Sequence, residues 1–354
     1  MMKALIAMSG GVDSAVAAYL TQQAGFECTG CTMRLYDNED AGAVDERTCC
    51  SLSDVEDARS IAMKLGIPYH VFNFKEEFRK NVICRFADSY LAGRTPNPCI
   101  DCNRYLKFGK LHERAQVLGC DYVVTGHYAR IEKRDDGRYL LKKALDPSKD
   151  QSYVLYSMTQ DQLSHTLFPL GGMTKIQARA LAAELGFINA EKPDSQDICF
   201  VPDGDYAAAV ERITGNLSVP GDFVDPDGNR IGPHKGIIHY TVGQRRGLGI
   251  ASSEPYYVCR ICPEDNTVVL GRNSDLFSRE MDVSEVNWIS GKAPDGNIRC
   301  RVKIRYRHKE QDATLTPVGE DKAHVIFDEA QRAITPGQAA VFYDGDIVLG
   351  GGVI

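Results

Sequence analysis

Several signatures are missing from these 354 residues, and each absence removes a class of protein. No apolar run approaches the ~18 residues of a membrane span. The first such run stops at Ser9, too short for a secretory h-region, so a cytosolic chain without membrane attachment is the expectation. There is no internal repeat and no low-complexity segment. The net charge of −7 removes a globally basic nucleic-acid binder, although local patches decide such binding. Twelve cysteines in a chain this long do not make a small disulfide scaffold; clustered in a cytosolic protein they point to metal, cluster or redox chemistry. Hydrophobic content of 43% and charged content of 25% are those of a globular protein with two or three domains.

What the chain does carry begins at Ser9 to Ser14, SGGVDS. Lys3 to Met8 before it is a short apolar run of the buried parallel-strand kind, and Ala15 to Gln23 after it favours helix, with Gly25 placed to end it. A strand, a glycine turn and a helix aim free backbone N–H groups and the positive helix end at the turn, which suits phosphate. Gly10 and Gly11 permit close approach, Ser9 and Ser14 add hydroxyls, and Asp13 is the residue to orient a metal ion or cap the helix. The Gly-Lys-Ser/Thr ending of ATPase loops is absent, as is GxGxxG. The stretch resembles instead the PP-loop of enzymes that split ATP into AMP and pyrophosphate.

Strand and helix then alternate. Strands are predicted at Phe26 to Leu35, Ile67 to Phe74 and Asp121 to Tyr128. Helices are predicted from a Ser53/Glu56 capping box to Leu65, over Glu76 to Leu91 and over Asn103 to Leu118, with a proline-held loop from Arg94 to Cys102. This alternation implies an α/β fold with a doubly wound parallel sheet, whose ligands sit at the C-terminal strand ends. A hairpin follows at Ile131 to Leu141, then helices near Gln160 to Thr166 and from Thr174 to Leu185. Beyond Asp203 glycine, proline and short β-like runs dominate. The expected division is 1–207, a central mostly-β domain at 208–282, and a C-terminal β-barrel at 283–354.

Five further motifs make the resemblance specific: GRTPNPCIDCN (Gly93 to Asn103), TGHYAR (Thr125 to Arg130), SKDQSY (Ser148 to Tyr153), DSQDICF (Asp194 to Phe200) and HYTVGQRRGLGI (His239 to Ile250), in order after SGGVDS. Together they resemble the tRNA-specific 2-thiouridylase family, which replaces O2 of the wobble uridine by sulfur. The resemblance implies a PP-loop, adenine nucleotide alpha hydrolase-like first domain that uses ATP with Mg2+. It implies ATP contacts at Ala7, Met8, Ser9, Gly10, Gly11, Val12, Asp13, Ser14, Met33 and Gly126. It places Asn97, Pro98 and Cys99 at the target base, and His127, Lys149, Asp150, Gln151, Arg305, Tyr306 and Gln338 on the tRNA (Lys, Glu or Gln type). Cys199 would carry persulfide sulfur from a donor such as a cysteine desulfurase or a sulfur relay protein, and Cys102 would be the partner nucleophile that forms a transient disulfide.

The chemistry agrees with that list. A carbonyl oxygen leaves poorly until joined to AMP, and incoming sulfur needs a thiolate or persulfide in a water-poor pocket. Cys102 is expected where a proline-stiffened loop enters a helix, whose N-terminus stabilises a thiolate. The family's commoner aspartate three positions before the nucleophile is Cys99 here, with Asp101 nearby. Cys99, Cys102 and Cys199 supply three thiolates, enough for a [4Fe-4S] cluster with one open iron, so a persulfide dyad and a cluster both stand open. Zinc is a weaker fit, and a PP-loop amide ligase acting on a small carboxylate is the competing function. Cys28-x-x-Cys31 lies on a predicted strand whose residues three apart face opposite ways, so it reads as structural; Cys49 and Cys50 have no assigned role. RCRVKIRYR (Arg299 to Arg307) is expected to be a strand with five cations on one face, suited to phosphates, and Arg245 and Arg246 sit in a glycine-flanked loop able to meet RNA.

Overall fold

The computed structural model describes residues 1–36, 52–193 and 198–354. Cys49, Cys50 and Asp194 to Asp197 lie outside the described residues. The N-terminal unit is built on β1 (Lys3–Ala7), α1 (Val12–Gln23), β2 (Glu27–Arg34), α2 (Leu52–Leu65) and β3 (Tyr69–Asn73). Two long helices follow: α3 over 75–91 and α4 over 98–117, then β4 (Tyr122–Val124). The hairpin β5 (Ala129–Lys133) and β6 (Tyr139–Lys143) precedes α5 (Gln160–Ser164), β7 (Thr166–Leu167) and α6 (Lys175–Glu184). All pairings in the sheet β3-β2-β1-β4-β7 are parallel.

Alternation along β1 shows why the sheet is covered on both faces. Leu5 packs with Phe78, Phe86, Leu106 and Leu111 of α3 and α4, whereas Ala4 and Ile6 pack with Val16, Ile61 and Ala178 of α1, α2 and α6. Cys28 and Cys31 divide the same way, one in each core, and burial pushes the Cys28 thiol up to about 11. They are packing residues, as the spacing implied.

Three predicted elements differ. α4 begins at Pro98, not Asn103: Asn97 is the N-cap, its Oδ1 accepting from Cys99 N at 3.2 Å, and proline occupies the first helical position, where its missing N–H costs nothing. Both long helices open into π-helix, at Arg79–Cys84 and at Cys102–Lys110. The helix after Gln160 stops at Ser164, because Thr166 and Leu167 pair with Val123 and Val124 as an extra parallel strand.

Beyond α7 (Tyr206–Thr214) come β8 (Gly221–Val224), β9 (Arg230–His234), β10 (Tyr257–Cys262) and β11 (Thr267–Gly271), one small sheet over a core of Phe223, Tyr240, Val258 and Leu270. β12 (Phe277–Trp288), β13 (Ile298–Lys303), β14 (Gln311–Val318), β15 (Lys322–Arg332), β16 (Ala339–Asp344) and β17 (Ile347–Val353) close an antiparallel barrel through the β12–β17 pairing. The β5–β6 hairpin of the first unit extends this sheet through β6 and β17.

The expected five-cation stripe does not form. The strand ends at Lys303, so Arg305 and Arg307 lie in the turn beyond it. Arg299 makes a two-pronged ion pair with Asp328 at 2.6 and 2.8 Å, and Arg301 pairs with Asp312 at 3.3 Å. The neighbouring strands supply carboxylates that neutralise the row.

Both later units grip the loop before α4. Thr95 N donates to Pro336 O at 2.8 Å, Gln338 Nε2 donates to Thr95 O at 2.7 Å, and Thr95 Oγ1 bonds Thr241 Oγ1 at 3.2 Å. Gly337 has φ +89°, and a Cβ there would lie 2.9 Å from both Arg94 Cβ and Thr95 N. Gly337→Ala is therefore expected to cost about 1–3 kcal/mol of unfolding free energy in urea titrations. A variant as stable as the parent would show the clamp to be looser than described.

Candidate active site

The Ser9–Ser14 loop joins the C-terminal end of β1 to the start of α1. Its shape is set from within: Ser9 N donates to Ser14 Oγ at 3.1 Å, and Ser14 Oγ donates to Gly11 O at 2.9 Å. Gly10 takes φ +73°, and a Cβ there would meet the Asp54 backbone of α2 at 2.5 Å. Gly11 is the N-cap of α1 and brings no side-chain cap, which leaves the first-turn amides directed into the turn. Met8 N donates to Cys31 O at 2.7 Å, and Thr32 Oγ1 donates to Met8 O at 2.6 Å, tying the loop to β2 just ahead of Met33. Gly126 lies against the turn: a Cβ there would fall 2.8 Å from Ser14 N. Ala7, Met8, Ser9, Gly10, Gly11, Val12, Asp13, Ser14, Met33 and Gly126 thus occupy one region at the strand ends.

Asp13 is not open to solvent as a bare carboxylate. Both of its oxygens accept from Lys175 Nζ at 2.8 Å, and Tyr128 Oη donates to Oδ1 at 2.8 Å. Lys175 is only 7% exposed. Its position in the first turn of α6 gave no sequence signal, because its partner is 162 residues away. A carboxylate already balanced by a buried ammonium does not fit as a magnesium ligand in this arrangement, so no step is routed through a metal held there.

The cysteines approach from the other face of the sheet. Ala7, Met33, Cys102, Ile198 and Cys199 all pack against one apolar cluster that includes Phe78, Phe86 and Phe200. Phe200 is 2% exposed, with its ring edge-on to Phe78 at 5.8 Å and Phe86 at 5.2 Å, and so fixes the chain next to Cys199. Tyr36 Oη donates to Cys199 O at 2.8 Å from the end of the β2 segment. Cys102 lies one turn inside α4, where its amide is already used in the helix; the positive helix end falls on Cys99 instead, since the effect fades within a turn. Cys99 is exposed; burial, then Asp150 and to a smaller degree the neighbouring Cys99, raises the pKa of the Tyr306 phenol of the barrel. Among the described residues, the potential metal ligands that gather in threes within 4.8 Å are His112, Asp161 and His165. Cys99, Cys102 and Cys199 are not among them, so the three thiolates are not gathered around a single ion.

The remaining residues fall in two groups. Asp150 Oδ1 accepts from Ala144 N and Ser152 N, and Gln151 Oε1 accepts from Tyr128 N, so these two shape the segment after Lys149. Tyr306 is 39% exposed and donates to Asp150 O at 3.3 Å, while Gln338 holds Thr95 as described. Arg305 donates to Arg332 O and Ala333 O, leaving its Nε buried without a partner, and burial lowers its pKa. Arg245 and Arg246 are exposed. His127, by contrast, is 7% exposed, bonded at Nδ1 to Thr125 Oγ1 at 2.7 Å and set between Phe108 and Phe168. It is a buried core histidine beneath the strand-end loop.

Burial, with a smaller contribution from Lys107, holds the His127 pKa well below the usual 6.5. Below that value the unfolded chain binds a proton the folded chain refuses, so this residue's contribution to stability falls as the pH falls through about 6.5. Unfolding free energies at pH 7 and 5.5 should show a smaller acid loss for His127→Gln than for the parent protein. Equal losses would place the acid sensitivity elsewhere.

Known proteins share this chain's whole layout. Family models match residues 2–203 as a tRNA methyl transferase HUP domain, 210–272 as a tRNA methyl transferase PRC-barrel domain and 278–354 as an aminomethyltransferase β-barrel domain. The chain is 53% identical to the tRNA-specific 2-thiouridylase MnmA of Clostridioides difficile over 99% of its own length and 98% of the relative's. It is also 53% identical to the protein of that name from Acetivibrio thermocellus, over 99% of each chain. Matched from end to end at this identity, the chain belongs to the tRNA-specific 2-thiouridylase family.

Proposed function

We propose that this protein is a tRNA-uridine 2-sulfurtransferase, which spends ATP to replace O2 of the wobble uridine with sulfur. The observation that carries this reading is the convergence of Ala7, Met33, Cys102 and Cys199 on one apolar cluster, beside a glycine loop built for phosphate. An activation step and a sulfur step then share one pocket. ATP would lie along Ala7 to Ser14, with Met33 and Gly126 at the adenosine, and Mg2+ would arrive on its phosphates. The C2 oxygen of uridine attacks the α-phosphorus, pyrophosphate leaves, and the C2–O bond now ends in AMP, a good leaving group.

The sulfur comes from a persulfide on Cys199, loaded by a separate donor protein. Its terminal sulfur attacks C2, and AMP departs with the old oxygen. The Cys102 thiolate then attacks Cys199 Sγ, breaking the S–S bond. The electron pair stays on the transferred sulfur as 2-thiouridine, and a Cys102–Cys199 disulfide remains for a dithiol to reduce. Apolar surroundings keep water from competing for the activated carbon. The two-cysteine route needs no iron.

The uridine must leave the base stack to reach this pocket. Asn97, Pro98 and Cys99, at the cap of α4, would line it. Lys149, Asp150, Gln151, Tyr306 and Gln338 border the same junction, and the exposed Arg245 and Arg246 add positive charge for the backbone. His127 serves from below by holding the Thr125 side of the site.

Cys199→Ser is the direct test. It should abolish 2-thiouridine formation, by at least about a thousandfold, while AMP release in the presence of tRNA persists. Unchanged thiolation in this variant would overturn the sulfur assignment.

A further inference from the structure

At the end of the parallel sheet away from the phosphate loop, two imidazoles and a carboxylate come together. His112 lies on α4, Asp161 in the first turn of α5, and His165 between α5 and the start of β7. His112 Nε2 stands 3.6 Å from Asp161 Oδ2, and His165 Nδ1 stands 3.6 Å from Asp161 Oδ1. The two rings are 5.6 Å apart, edge to face. One ligand atom from each residue lies within 4.8 Å of the other two. The sulfur chemistry proposed above uses none of the three.

The backbone beneath these side chains is fixed by bonds outside the group. A capping box of Thr159 and Gln162 sets the start of α5, and Gln162 Nε2 also donates to Phe108 O of α4 at 2.7 Å. Val123 N of β4 donates to His165 O at 2.8 Å, which ties that residue to the sheet. The Asp161 carbonyl, 2.9 Å from His165 Nδ1, orients the ring, as groups beyond the ligands do in metal sites. The His112 side chain is 12% exposed, and burial lowers its pKa against the pull of Asp161, so the ring is neutral near pH 7 and has a lone pair to give. Gln116 Nε2 lies 3.1 Å from His112 Nε2, and this exposed amide gives way to a cation without leaving a buried group unpaired. Ligand atoms on a tetrahedral zinc ion stand about 3.3–3.5 Å apart. Small rotations of Asp161 and His165, whose side chains are 69% and 45% exposed, close the remaining gap.

We propose that His112, Asp161 and His165 form a binding site for a divalent transition cation of the zinc class, which clasps α4 to the α5–β7 segment. Two imidazoles and one carboxylate favour Zn2+ over Mg2+, which takes oxygen ligands and gives up its waters reluctantly. Three protein ligands leave the fourth tetrahedral position to water. The helix that starts with Cys99 and Cys102 is thereby pinned near its other end, so the ion acts on stability and not on the reacting atoms. The site is independent of the sulfurtransferase reading.

The experiment titrates the purified full-length protein with Zn2+ and counts bound metal by equilibrium dialysis, beside His165→Gln and Asp161→Asn. The cysteines are the same in all three proteins, so thiolate-bound zinc cancels in the difference. Both substitutions change side chains that reach solvent and leave the backbone bonds of α5 and β7 in place. The parent should hold one zinc ion more per chain than His165→Gln, with a dissociation constant for that ion below about 10 μM, and Asp161→Asn should weaken it at least about tenfold. About a hundredfold excess of Mg2+ should leave the extra ion in place. The thermal midpoint should rise with Zn2+ in the parent and by less in either variant, because an ion bound only to the folded state stabilises it. Equal zinc content and equal midpoint shifts in the parent and both variants, or an extra ion bound more weakly than this limit, would overturn the proposal.

Discussion

Thr95 donates its backbone N–H to Pro336 O, accepts at its carbonyl from the Gln338 side chain and shares a hydroxyl bond with Thr241, and on this small junction the arrangement of the whole site depends. Each bond alone is worth about 0.5–1.5 kcal/mol net. Their importance lies in where they act. Three residues later α4 begins, carrying Cys99 and Cys102, so a movement of the barrel or the central sheet is transmitted to the cysteine helix. Gly93 strengthens the lock, since a Cβ there would meet Ile261 of β10 at 2.9 Å. The apolar cluster that links Ile100 and Phe108 of α4 to Val341, Tyr343 and Val348 of the barrel makes the junction a continuous core rather than a hinge.

The sheet solves a second problem, that of keeping two chemistries apart and yet adjacent. Alternation along β1 sends Leu5 to one face and Ala4 and Ile6 to the other. One face carries the helices that frame the glycine loop, the other the aromatic cluster on which the cysteines rest. Both meet at the C-terminal strand ends, the one place on a parallel sheet open to a ligand from either side. The Asp13–Lys175 pair, its ammonium buried and its carboxylate partly exposed, stiffens the loop side.

Local features were legible in the sequence; long-range pairings were not. SGGVDS announced its strand, turn and helix because the glycines and hydroxyls act within six residues. The alternating strands and helices gave the parallel sheet, and the glycine-rich texture beyond Asp203 gave the β character of the rest. Pro98 misled because a proline both breaks a helix and starts one, and only the Asn97 cap decides which. The cation stripe of Arg299 to Arg307 looked free because its neutralising partners, Asp312 and Asp328, arrive on other strands. Lys175, Asn189 and Lys192 were invisible for the same reason: their partners lie more than a hundred residues away. For His127 the motif pointed outward to RNA, whereas Phe108 and Phe168 close over it from two separate elements.

The joining of ATP cleavage to sulfur insertion in one pocket is tested most directly by nucleoside mass spectrometry of tRNA incubated with the purified protein, ATP and a persulfide donor. The account predicts 2-thiouridine at the wobble position, formed only when ATP, tRNA and the donor are all present and accompanied by AMP and pyrophosphate. Release of AMP and pyrophosphate with a small carboxylate and no tRNA, with the tRNA uridine left unmodified, would contradict it.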